Sequence, residues 1–252
     1  VVPTVATVTV PANGSYKVGD VLSFTINTSE GVVVDTFGGT PRLALTVGGV
    51  TRYATYVSGA ASGALVFQYT VQSGDTASGG ISVNGSLDLN GGHVNDSAGN
   101  ALNLSLGAVG NTSGVLVDTT TPYATSITRV DATPNNSGSV SYTVTFSENV
   151  RNVDASDFNL IFGGSVVGTI DSVIAVDGQT FTVKVSGLTG TGTLRLDLRP
   201  GTDIADAAGN QVPDGPVGVN YSIDRDAPSV IGVDVPTNGT YVSGQNLDFT
   251  VH

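Results

Sequence analysis

Cysteine, methionine and tryptophan are absent from this sequence, and the first and last absences each close off a class of explanation. Without cysteine there is no disulfide framework, no thiolate metal site and no thiol nucleophile. Without tryptophan, and with aromatics at only 6%, a glycan-cleaving cleft lacks its usual aromatic platforms. The two histidines, His93 and His252, stand isolated and suggest no Ser–His–Asp partnership and no zinc site. Enzymatic activity is therefore not expected. Basic residues are scarce, 9 against 21 acidic ones, for a formal net charge of −12. That balance disfavours nucleic acid and anionic membrane as partners, because a phosphate surface needs Lys and Arg. No apolar run is long enough for membrane insertion and no signal peptide is visible, so any secretion signal is expected outside this segment.

What is abundant is Gly, Ser, Thr, Val, Asn and Asp. Thr and Val suit pleated, half-buried strands, and Gly, Asn and Asp suit tight turns. Apolar residues alternate and show no helical period, so the fold class is all-β. The chain also repeats. From Val10 it reads VPANGSYKVGDVLSFT, and from Val235 it reads VPTNGTYVSGQNLDFT. A second set of landmarks recurs at a shorter interval. Ser29-Glu30 and Ser147-Glu148 each follow an alternating run. Asp96-Ser-Ala-Gly-Asn100 is echoed by Asp206-Ala-Ala-Gly-Asn210, and Asp118 to Pro122 by Asp224 to Pro228. Recurrence at fixed order is the mark of a tandem array. It divides the chain into one module over residues 1–117, a second over 118–223, and a linker with the first strands of a third over 224–252.

In the second module, strands are expected near Ala124–Val130, Val140–Phe146, Phe158–Ile161, Ile170–Val176, Thr180–Val185, Thr193–Leu198 and Val219–Ile223, with Asp177-Gly178 as a hairpin turn. Seven short strands in about 100 residues fit an immunoglobulin-like β-sandwich. In that topology the loops after the second and sixth strands meet at the pole that faces the preceding module. Those loops carry Glu148, Asp154, Asp157, Asp203, Asp206 and Asn210, and the incoming linker supplies Asp118. Uncompensated carboxylates converging at one pole suit calcium, which takes six to eight oxygen ligands. By the same logic Glu30 and Asp96, beside Asp35 and Asn100, are candidate ligands in the first module. Asp224 and Asp226 are candidates at the junction that follows the second. Asp171, Asp177 and Asp197 read as ordinary turn or strand residues.

The run Phe146-Ser-Glu148-Asn-Val150, Asp154-Ala-Ser-Asp157-Phe158, Ile204-Ala-Asp206-Ala-Ala-Gly-Asn210 and the linker Asp118 to Pro122 resembles the bacterial Ig-like extender repeats of giant repeats-in-toxin adhesins. The resemblance implies an extracellular, cell-surface stalk, exported by a type I secretion system and stiffened by calcium between neighbouring repeats of the same chain. The first module departs from the pattern, with Thr28 in place of Phe146 and only Asp35 ahead of Phe37. The alternative is a glycan- or protein-binding module using Tyr16, Tyr53, Tyr56 or Tyr241. The incomplete third repeat cannot bury a core alone, and either pairs with a neighbouring chain or is the ordered remnant of a longer array.

Overall fold

A computed structural model describes all 252 residues, nearly all of the regular structure being strand. No helix is long and apolar enough to cross a membrane. The first module contains β1 (Val5–Thr9), β2 (Gly14–Tyr16), β3 (Val21–Thr28), β4 (Val32–Asp35), β5 (Arg42–Val47), β6 (Val50–Ser58), β7 (Ala64–Thr70), β8 (Thr76–Ala77), β9 (Ser82–Asp88), β10 (His93–Asp96), β11 (Ala108–Val109) and β12 (Val115–Asp118). Seven of them form one sheet in the order β11-β1-β3-β7-β6-β5-β9, while β2-β12-β8 and β10-β4 form smaller ones. Side chains alternate across each strand, so Leu22, Phe24 and Ile26 of β3 point inward with Leu43, Leu45 and Val47 of β5, Leu65 and Phe67 of β7, and Val115 and Val117 of β12.

The second module contains β13 (Ala124–Arg129), β14 (Ser139–Phe146), a single 3-10 turn at Ala155–Asp157, β15 (Phe158–Gly164), β16 (Val167–Ala175), β17 (Thr180–Thr189), β18 (Gly192–Leu198) and β19 (Tyr221–Ile223). The sheets run β13-β14-β17-β16 and β15-β18-β19. First, second, fifth and fourth strands on one side and third, sixth and seventh on the other is the arrangement of a constant-type immunoglobulin sandwich. Its core is separate from that of the first module and draws on Val140, Tyr142, Val144 and Phe146 of β14, Val183 and Val185 of β17, and Leu194 and Leu196 of β18. Tyr142 and Tyr221 pack edge to face at 5.1 Å. Each hydroxyl finds a carbonyl, Tyr142 donating to Leu194 and Tyr221 to Ser141, as buried phenols require.

The modules differ in how the segment after the first strand meets the last strand. In module one, β2 runs parallel to β12 over three residue pairs, Gly14–Val115, Ser15–Leu116 and Tyr16–Val117. In module two the corresponding contact is a single parallel bridge, Asn135 to Ile223.

The tail carries β20 (Val233–Asp234) and β21 (Thr250–Val251), paired Val233 to Val251 and Asp234 to Thr250. Subtracting 225, the offset between Val235 and Val10, gives Val8 to Ile26 and Thr9 to Thr25, the register of β1 on β3. The tail thus starts a copy of module one. Its Val230, Leu247 and Phe249 are exposed, whereas their counterparts Val5, Leu22 and Phe24 are buried.

Candidate metal centre

The Asp-x-Ala-Gly-Asn repeat is a turn built the same way twice. In module two the Asn210 amide donates to Asp206 Oδ1 at 2.9 Å and its side-chain Nδ2 to Oδ2 at 2.8 Å. In module one Asn100 does the same to Asp96, at 2.8 and 2.7 Å. The intervening glycines, Gly209 and Gly99, have φ of 87° and 89°, a conformation that a side chain disfavours. Asp supplies the acceptor, Gly the turn and Asn the donors, so each residue of the motif has a structural reason. The Ser of each Ser-Glu pair is also structural. Ser147 Oγ accepts the Tyr123 amide and Ser29 Oγ the Thr4 amide, both at 3.0 Å, fixing the entry of each module's first strand.

With the loops held in this way, Asp118, Glu148 and Asp206 meet. One carboxylate oxygen of each lies within 4.8 Å of the other two. Calcium–oxygen bonds run about 2.3–2.6 Å, so ligands opposite one another across an ion stand about 5 Å apart; a single ion can touch all three. Asp206 is buried and the other two half-buried. Glu148 Oε1 is sealed from solvent without a hydrogen-bond partner. Burial, followed by repulsion from Asp118 and then Asp206, pushes the Glu148 carboxyl above its ordinary range. An oxygen-only donor set with an orphaned buried oxygen fits a hard divalent cation.

The linker is tied to both modules around this cluster. The Asp118 carbonyl accepts Asn210 Nδ2 at 3.0 Å. The next residue, Thr119, donates its hydroxyl to the Asp75 carbonyl and accepts the Gly74 amide, at 2.9 and 3.0 Å. Lys17 of module one reaches across to the Gly209 carbonyl of module two, at 2.9 Å. Lys17 and Asn210's bond to the linker carry no motif in the sequence, because they join residues 192 and 92 positions apart.

The other sequence-derived candidates fall elsewhere. Asp154 caps the 3-10 turn, its Oδ1 accepting the Ser156 amide at 2.7 Å, while Asp157 returns the bond by accepting the Asp154 amide. Neither joins the three-acid cluster. In module one, Asp96 occupies the place of Asp206 but Glu30 is exposed, and the pair gathers no third acid. Asp224 and Asp226 lie at the opposite pole of module two, where Asp224 Oδ1 accepts the Asp226 amide at 3.2 Å, as Asp118 Oδ1 accepts the Thr120 amide at 2.9 Å.

No family model matches the sequence, and no curated protein matches it significantly. Among solved structures, the chain is similar to FdeC, an Escherichia coli adhesin, at 13% identity over 99% of this chain and 72% of that one, with a TM-score of 0.38. It is similar to a marsupial T cell receptor at 12% identity over 87% and 95%, with a TM-score of 0.26. The strand order carries the fold. The chain is an all-β tandem of sandwiches.

Of the tyrosines that a glycan site would recruit, Tyr53 and Tyr241 are exposed and Tyr16 and Tyr56 half-buried. Tyr16 and Tyr241 donate to the carbonyls four residues earlier, Ala12 and Thr237. Tyr53 is stacked by the Arg42 guanidinium at 4.0 Å, and Tyr56 packs edge-on against Phe67.

Proposed function

We propose that this chain is a structural extender from an extracellular bacterial adhesin, in which calcium at the intermodule junction converts a loose hinge into a fixed joint. The observation that carries the reading is the meeting of Asp118, from the linker, with Glu148 and Asp206, from two loops of the following module. Unoccupied, the three acids repel one another; a bound cation reverses the sign of that interaction and ties linker to module. Because the ion binds only the assembled junction, it also stabilises it by mass action. The protein-only contacts of Lys17, Thr119 and Asn210 hold the same joint more weakly.

The test is small-angle scattering and calorimetry of the full chain with calcium and with a chelator. Calcium is expected to narrow the spread of intermodule distances and raise the melting temperature of module two, and Glu148→Ala to abolish the narrowing and diminish the rise while leaving module one folded. An unchanged maximum dimension together with unchanged melting would defeat the proposal.

A further inference from the structure

Six polar or charged residues are buried: Asp75, Asp96, Asp157, Thr202, Asp206 and Asn210. Four of them each make two or more side-chain hydrogen bonds. Asp75 accepts from Arg52, Tyr69 and the Gln72 amide. Asp96 accepts from Asn100 twice and from the Ala98 amide. Asp206 and Asn210 satisfy one another. The remaining two do not follow the pattern, and they are neighbours. Asp157, only 2% exposed, accepts one hydrogen bond, from the Asp154 amide at 2.8 Å, and is absent from all five ion pairs of the chain. Thr202, 8% exposed, has an Oγ1 sealed from solvent with no hydrogen-bond partner.

Both line one polar concavity of about 250 Å³ between the loop that enters β15 and the loop that leaves β18, along with Ser156, Arg199, Gly201 and Asp203. Burial first, and then the charges of Asp154 and Asp203, disfavour a charged Asp157, against the Asp154 amide bond that favours it. The Arg199 backbone amide donates to the Asp157 carbonyl at 2.7 Å, but its exposed guanidinium pairs with neither acid. Buried carboxylates are normally paired or metal-bound, and buried hydroxyls normally bonded. Here two acids and an orphaned hydroxyl share a recess with no paired counter-charge.

We propose that this recess is a second divalent-cation site of the calcium class, internal to module two, with the Asp157 and Asp203 carboxylates and the Thr202 hydroxyl as protein ligands. Loop carbonyls and water complete the oxygen shell that such an ion demands. None of these residues belongs to the linker, so the site goes beyond the junction and does not depend on it. Its role is to stabilise module two itself, bridging the loop that enters β15 and the loop that leaves β18.

The experiment is a calcium titration of the full chain after chelation, counting bound ions by calorimetry and following the Thr202 amide and methyl signals by NMR. Asp203→Asn, at an exposed position, is expected to lose one bound ion while the calcium-dependent stiffening of the junction persists. Glu148→Gln is expected to do the reverse, so failure of one site is distinguishable from failure of the other. The Thr202 signals should respond to calcium in the parent and in Glu148→Gln, and not in Asp203→Asn. Thr202→Val should reduce the gain in melting temperature from calcium without lowering the melting temperature in chelator. Equal ion counts in the parent and Asp203→Asn, or Thr202 signals indifferent to saturating calcium, overturn the proposal. So does a Thr202→Val loss of stability that is the same with and without calcium.

Discussion

At the scale of single residues, the four buried aspartates of this chain are treated differently. Burial alone would raise the pKa of Asp75, but hydrogen bonds from Tyr69, the Gln72 amide and Arg52 outweigh it and hold the group below its ordinary 3.8. Its partner Tyr69 is pushed up to about 12, by burial first and then by its bond to Asp75. A depressed carboxyl favours the folded state when ionised. Its contribution is therefore fully present above the unfolded value and is lost as pH falls through the folded one. Module one should lose melting temperature as pH falls below about 4, and Asp75→Asn should flatten that slope. Calorimetry at stepped pH checks this, and an unchanged acid slope in the variant would refute it. Residue-scale chemistry was legible where a motif repeats, as in Asp206 and Asn210, because the turn demands those types at that spacing. Thr202 was invisible, since a threonine beside an aspartate in a loop carries no pattern, and its orphaned hydroxyl exists only once distant loops close over it. Asp154 and Asp157 were legible as acids but not as a reciprocal cap.

Among the elements, the seven strands of module two appear where alternation placed them, because an inward-facing apolar residue at every second position admits one register. Their ends were less readable. β16 begins at Val167, ahead of the expected Ile170, through a shift in register between Val167 and Thr169. β17 continues to Thr189 through Gly187, whose φ of 67° resembles a turn when seen as sequence. The paired Asp-x-Ala-Gly-Asn turns allow a matched comparison. Gly99→Ala and Gly209→Ala should each cost about 1–3 kcal/mol from strain at positive φ. A Cβ at Gly99 meets nothing within 4 Å, whereas one at Gly209 lies 3.6 Å from Lys17 Nζ. That distance is an ordinary contact, so both variants should lower the melting temperature of their own module by similar amounts and leave the junction intact. Lys17→Ala, which removes the bond to the Gly209 carbonyl, should instead loosen the junction in chelator, as read by nitrogen relaxation of the two modules. Tumbling of Lys17→Ala equal to that of the parent would show that Lys17 contributes nothing to the joint.

For the whole molecule, tandem organisation was readable from recurrence alone, since landmarks in fixed order require no knowledge of packing. The different closure of the two sandwiches was not, because strand pairing between chain ends depends on a few hydrogen bonds that leave no composition signal. That difference has a consequence when the chain is pulled from its two ends. In module one, tension loads β2 against β12 along their length, so three adjacent residue pairs must shear together. In module two the same load falls on the lone Asn135–Ile223 bridge. Stretched in a single-molecule force experiment, where unfolding rates govern the response, module two should rupture first and at lower force. The array would then behave as a tether with built-in fuses, alternate sandwiches yielding to absorb a sudden load while their neighbours hold.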